Sequence, residues 1–260
     1  MAELKTTDSS LEMGMHTEQL SGRTQQVFFS SEEEDNYTYP WADEVDLDKA
    51  TQIDAEGLDS KAVNLKIREA MGQGYGTVSV LNPAAKHSLG VGILSRLNLR
   101  FEGSLGYFGC GLVDGPNIVV TGRVGWSCAE NMMAGTILIE KNAGSTFGAA
   151  IRGGDLVCKG DVGSRTGIDQ KGGTILGDAG KNLGDSMYDG TIYVGGAIED
   201  LGVDAVEGEM TPLDAQWLTR KLGQYGLEAP NGVEKMTKIV SGKQLWNYDN
   251  LEPSEKKLVL

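Results

Sequence analysis

Thr136-Ile137-Leu138-Ile139-Glu140-Lys141-Asn142-Ala143-Gly144-Ser145-Thr146-Phe147-Gly148-Ala149-Ala150-Ile151-Arg152-Gly153-Gly154 is one unit of a repeat. It opens on a short apolar stretch in which every second side chain can point inward and the rest outward, the period of a strand. A turn follows at Asn142-Ala143-Gly144. A second, weaker stretch then runs to the glycine pair.

The same pattern extends in both directions. Successive coils run Thr77 to Arg96, Leu97 to Gly115, Pro116 to Gly135, Thr136 to Gly154, Asp155 to Gly173, Thr174 to Gly190 and Thr191 to Gly208. Apolar openings recur at Ile118-Val119-Val120, Leu156-Val157-Cys158, Thr174-Ile175-Leu176 and Thr191-Ile192-Tyr193-Val194. Turns recur at Gly122-Arg123-Val124-Gly125, Gly160-Asp161-Val162-Gly163 and Gly177-Asp178-Ala179-Gly180. Such a period decides the architecture ahead of local propensity. Of the 37 glycines, 30 lie between 72 and 208, where sharp corners call for backbone angles that Gly, Asn and Asp adopt most easily. One coil cannot bury its inward side chains, but stacked coils can. The prediction is an all-β core, a right-handed single-stranded parallel β-helix of about seven coils. At the usual strand spacing of about 4.8 Å the stack is roughly 30 Å tall.

The ends of such a stack are open strand edges and need covers. Residues 59–71 read as a helix with Asp59 or Ser60 as cap, Val63, Ile67, Ala70 and Met71 on one face, and Gly72 at its end. Thr211-Pro212 opens a second helix through Leu213, Trp217, Leu218 and Leu222 to Gly223 or Gly226. Both are expected as end caps. Ile239-Val240 and Leu245-Trp246-Asn247-Tyr248 read as a short packed extension. The domain reading is 1–50 an acidic N-terminal arm, 51–76 a helical cap, 77–208 the β-helix, and 209–260 a C-terminal helix and tail.

The net charge of −14 speaks against a nucleic-acid partner, which needs a basic footprint. Residues 1–60 carry 15 Asp/Glu against 3 Lys/Arg, so the acidity belongs to the arm. The arm holds the run Glu32-Glu33-Glu34-Asp35 and the aromatics Phe28, Phe29, Tyr37, Tyr39 and Trp41. It reads either as a solvated tail or as a segment that orders against a partner. Met1 to Ser10 lacks the apolar core of a signal peptide, and no apolar run has the length of a membrane span. With Cys110, Cys128 and Cys158 an odd set, reduced thiols in the cytoplasm are expected.

No residue is assigned to catalysis, to a cofactor or to a metal. His16 falls in the arm, and His87 reads as a structural or interface residue, with no Gly-x-Ser-x-Gly elbow beside it. The cysteines form no Cys-x-x-Cys pair. Cys110 and Cys128 fall at similar offsets in adjacent coils and read as packing. Gly72-Gln73-Gly74-Tyr75-Gly76 follows a helix rather than a strand, the wrong context for a nucleotide loop. Gly177-Asp178-Ala179-Gly180-Lys181-Asn182 lacks a P-loop's first glycine, which would fall at Ile175, and its Ser/Thr. Asp161, Asp178 and Asp185 read as turn residues rather than calcium ligands, since the nine-residue calcium repeat is absent. Arg123, Arg152 and Arg165 sit near equivalent corners, as a solvated face or as an anion-binding or partner-facing ladder.

Three stretches carry a family resemblance: Ala129-Glu130-Asn131-Met132-Met133-Ala134-Gly135-Thr136, Gly144 to Ala149, and Gly177 to Tyr188. They resemble the GXGXG domain, the β-helix at the C-terminal end of the glutamate synthase large subunit, over about residues 60–250. Leu201-Gly202-Val203-Asp204, Glu207 to Pro212 and Leu245 to Tyr248 look like its free-standing form, which belongs to split glutamate synthases and to N-methylglutamate synthase (methylamine–glutamate N-methyltransferase). The resemblance implies a non-catalytic structural subunit of a hetero-oligomer. A glutamine amidotransferase-like subunit would carry an N-terminal nucleophile. A second partner would carry FMN, with an iron–sulfur cluster also admissible there. This chain would hold them in register beside the ammonia or amine passage. The acidic arm departs from the family pattern. Two alternatives stand beside it: the glycine-repeat β-helix component of a formylmethanofuran dehydrogenase or formyltransferase/hydrolase complex, and a stand-alone scaffold or adaptor. A hexapeptide acyltransferase is disfavoured by the coil lengths and the lone His87.

Overall fold

The computed structural model describes residues 44–178, 180–229 and 231–244. Its core is a parallel β-solenoid. Eight parallel strands follow one another along a single sheet: β1 (Asp46–Asp54), β2 (Tyr75–Leu81), β3 (Asn98–Glu102), β4 (Asp114–Val120), β5 (Ala134–Ile139), β6 (Asp155–Asp161), β7 (Lys171–Asp178) and β8 (Asp189–Val194). The pairings Thr77↔Asn98↔Asn117↔Thr136↔Asp155↔Thr174↔Thr191 define one column up the stack. The second and third coils therefore start one residue later than the sequence reading placed them. The Asn side chains fix this register: Asn98 Nδ2 donates to Thr77 Oγ1 at 3.4 Å and Asn117 Nδ2 to Asn98 Oδ1 at 3.2 Å. Seven strands, β2 to β8, bound about six turns, slightly fewer than the seven coils expected.

Inward columns form the core. Leu99, Ile118, Ile137, Leu156, Ile175 and Ile192 stack in one; Val80, Phe101, Val120, Ile139 and Cys158 stand in the next. Each fully buried aliphatic or aromatic side chain of this kind contributes roughly 1.5–3 kcal/mol of transfer free energy.

The first helix, α1 (Ser60–Gly72), caps the N-terminal end as its sequence implies. Asp59 accepts from the Ala62 N–H, and Val63, Ile67, Ala70 and Met71 are buried in the solenoid core. Before it stands β1, a strand across the arm–cap boundary at residue 50. It pairs in parallel with β2, so the cap is a strand–helix unit rather than a helix alone.

The C-terminal end departs further from expectation. The second helix, α2 (Pro212–Gln224), has Thr211 as N-cap in a reciprocal capping box with Asp214. It lies against the side of the solenoid rather than across its end. Leu138, Val157, Leu176 and Tyr193, which point outward from β5 to β8, are buried under Leu218, Leu222, Trp217 and Met236. Leu213, read as part of its apolar face, is 76% exposed. The end itself is closed by β10 (Thr237–Ser241), which enters antiparallel between β8 and β9 (Ala205–Gly208). The expected extension at Ile239-Val240 is this strand. Leu245 to Tyr248, His16 and the acidic aromatic arm lie outside the described residues. No described helix is long and apolar enough to cross a membrane.

Candidate interaction face

The loop side of each coil is built on left-handed residues at alternate positions. They are Ser88, Gly90, Gly92, then Phe108, Cys110, Leu112, then Ser127, Ala129, Asn131, then Thr146, Gly148, Ala150, then Arg165, Gly167, Asp169, then Asn182, Gly184, Ser186. Glycine holds only some of these places, against the expectation that Gly, Asn and Asp would fill the corners. Hydrogen bonds between coils hold the others. Phe108 N–H donates to Trp126 O at 2.8 Å, Cys110 N–H to Leu89 O at 2.8 Å and Leu112 N–H to Glu130 O at 2.9 Å. A left-handed L-residue costs roughly 1–2 kcal/mol, which these ladders offset.

This geometry places one outward column at His87, Tyr107, Trp126, Ser145, Ser164 and Lys181. In the first three coils the column is a ring stack. His87 and Tyr107 lie 4.8 Å apart at 23°, and Tyr107 and Trp126 5.2 Å apart at 20°. Tyr107 N–H donates to His87 Nδ1 at 2.8 Å, which fixes the imidazole in the column. Each ring leans over a glycine of the next coil. A Cβ on Gly106 would stand 2.3 Å from His87 Nδ1, one on Gly125 2.6 Å from Tyr107 Cδ1, and one on Gly144 2.8 Å from Trp126 Cδ1. These glycines are needed for close approach. Phe108, next to Tyr107 in the chain, and Leu112, further along the same coil, are also exposed: exposures are 42% at Tyr107, 51% at Phe108, 56% at Leu112 and 57% at Trp126. Contiguous exposed aromatics of this kind mark binding surfaces.

Beyond Trp126 the column turns polar. Ser145 and Ser164 hydroxyls lie 3.1 Å apart in it, and Ser127 and Thr146 hydroxyls lie 2.8 Å apart in the neighbouring column. The sequence reads His87 as a structural or interface residue, without its stack with Tyr107 and Trp126. Laying the coils in columns, 20 and 19 residues apart, is the signal that finds it.

The other singled-out residues fall elsewhere. The three arginines form no ladder, because they occupy three different columns. The bridges Val124↔Ala143↔Val162 align Arg123 with Asn142 and Asp161. Arg152 N–H bonds Met132 O, and Arg165 N–H bonds Lys181 O. Asp161 and Asp178, read as turn residues, are instead the last residues of β6 and β7; Asp161 accepts from Asn142 Nδ2 at 3.1 Å, and Asp185, in a turn as read, accepts from Val203 N–H at 3.2 Å. Cys110, Cys128 and Cys158 are buried free thiols. The contact with Cys110, and then burial, push the Cys128 thiol well above its usual range. Among the described residues no cluster of three or more His, Cys, Asp or Glu is placed to hold a metal ion.

No protein-family model matches the chain. It is 36% identical over 191 residues to protein GlxC of Rhizobium meliloti (strain 1021), a match covering 65% of this chain and 83% of that protein. With most of that relative matched at this identity, the chain belongs to the GlxC family.

Proposed function

We propose that the chain is a non-catalytic structural subunit of a glutamate synthase-type, FMN-dependent complex, working as a glutamate synthase or an N-methylglutamate synthase in the cytoplasm. It holds an amidotransferase-like subunit and an FMN-binding subunit in register and helps to shape the passage of ammonia or an amine between them. The glycine-rich stretches quoted above and the kinship with GlxC support this reading. The observation that carries it is the exposed ring column of Tyr107 and Trp126 with exposed Phe108 next to Tyr107, which fits a protein–protein contact rather than a reaction centre.

Native affinity purification of the intact chain from its own cell, with mass spectrometry of partners and a visible spectrum, tests it. Recovery of both partners with a flavin spectrum, lost on Trp126→Ala, is the expected result. A molybdenum or tungsten enzyme among the partners would transfer the chain to the formylmethanofuran complexes. A lone colourless protein would leave the adaptor reading.

A further inference from the structure

We propose that the solenoid core contains a buried water-binding site made by Gln170 and Thr166 of a single coil. An inward column follows three residues after the left-handed places of Gly90, Cys110, Ala129, Gly148, Gly167 and Gly184. It runs Ile93, Val113, Met132, Ile151, Gln170 and Met187, and every member is buried. Gln170 is the polar exception. Its amide is oriented from the nitrogen end: Nε2 donates to Gly173 O at 2.9 Å and to Gly172 O at 3.1 Å, with Thr191 O at 3.5 Å. Only the NH2 group can meet carbonyls, so Oε1 is the atom turned into the core. There it finds no donor. Among the described residues it is the buried side-chain oxygen without a hydrogen-bond partner in the protein. Oε1 faces Gly167. A Cβ built on Gly167 would stand 3.0 Å from Oε1, 2.6 Å from Ile192 Cδ1 and 3.3 Å from Ile175 Cδ1. The walls beside Oε1 are thus the terminal methyls of two isoleucines, which a change of rotamer moves aside.

The ligand follows from what Oε1 lacks. A carbonyl oxygen accepts, so the ligand donates. A cation is ruled out, because one neutral oxygen among isoleucines does not replace a hydration shell. A small neutral donor remains, and water brings two donor hydrogens. The coil offers two acceptors to match them. Thr166 and Gln170 are the polar side chains among the described residues with no exposed surface at all. Thr166 Oγ1 donates to Gly163 O at 2.9 Å, which leaves its lone pairs free to accept. Both positions are apolar in the adjacent coils: Phe147 and Leu183 flank Thr166, and Ile151 and Met187 flank Gln170. The polar pair stands where the repeat shortens, since Gly148 and Gly167 are 19 residues apart but Gly167 and Gly184 only 17. A buried water that meets otherwise unpaired polar groups is held as part of the structure. The inference concerns the chain by itself and stands or falls separately from the partner assignment.

The test is a crystal structure of the full chain at a resolution that orders single waters. A water peak is expected about 2.7–3.2 Å from Gln170 Oε1 and within the same reach of Thr166 Oγ1. Gln170→Met, which puts here the residue type of Met132 and Met187, should remove the peak. In solution, the Gly167 amide proton of the 15N-labelled chain should show a dipolar cross-peak at the water frequency, with the sign of a contact far longer-lived than surface hydration. That cross-peak should be lost in Gln170→Met. A bare Oε1 in the wild-type crystal would overturn the inference, as would a protein donor bonded to it. So would a peak out of reach of Thr166, or one that persists in Gln170→Met. Should the variant fail to fold, the wild-type peak and the wild-type cross-peak decide the matter by themselves.

Discussion

Asn64 Oδ1 accepts the N–H of Gly90 at 2.9 Å. In the following coils the equivalent N–H bonds a carbonyl of the coil before it, as Cys110 does to Leu89, Ala129 to Gly109 and Gly148 to Cys128. The first coil has no predecessor, and one side chain of α1 stands in for it. Asn64 Nδ2 also donates to Ser88 O at 2.7 Å. Asn64→Leu should therefore cost about 1–3 kcal/mol, the penalty of leaving partly buried backbone groups unpaired. Urea unfolding should show a lower midpoint, with Gly90 the amide that gains most in hydrogen exchange.

The side-on placement of α2 separates two leucines. Leu222 is buried against the outward face of the sheet, and Leu213 is exposed. Leu222→Ala should destabilise by about 2–4 kcal/mol, while Leu213→Ala should stay within about 0.5 kcal/mol. An end-capping α2 that used both residues would give similar losses, so paired denaturation curves discriminate.

Acid should loosen α2. Asp214 accepts from Tyr193 O–H at 2.5 Å, from Thr211 Oγ1 at 2.6 Å and from Lys238 Nζ at 2.9 Å. Burial by itself would raise its carboxyl, but the bonds from Thr211, Tyr193 and Lys238 outweigh burial and hold it well below the usual carboxylate range. Burial, and then Asp214, raise Tyr193 well above the usual phenol range. With a depressed folded value, Asp214 contributes fully above the unfolded pKa of about 4 and progressively less as pH falls below it. Asp214→Asn should cost about 2 kcal/mol at pH 7, reduced from the fully buried case by the partial exposure of the pair. It should also flatten the pH dependence of the melting temperature between about pH 5 and 2. An unchanged slope would remove Asp214 as its source.

Ala150 sits at φ 54° on the loop side. Ala150→Gly should stabilise by a few tenths to about 1 kcal/mol, since relief of the left-handed strain exceeds the extra entropy of glycine in the unfolded chain. The usual Ala-to-Gly loss in a calorimetric comparison would mean that the inter-coil hydrogen bonds already absorb the strain.

The sequence by itself determined the repeat, the strand openings to within a residue, and α1 with its four buried residues and a cap at Asp59 or Ser60. All of these follow from local periods and local backbone cost. What only the tertiary structure decided is which element meets which face. Leu138, Val157, Leu176 and Tyr193 are apolar on the outward side of their strands, but nothing local says that α2 covers them. Likewise Thr237–Ser241 reads as a short apolar run, and its antiparallel place between β8 and β9 depends on an edge far away in sequence. The candidate face was visible only in part, at His87. The ring column exists because left-handed Phe108 and Ser127 are held by bonds to the next coil, and a single coil read alone has no such partner to supply.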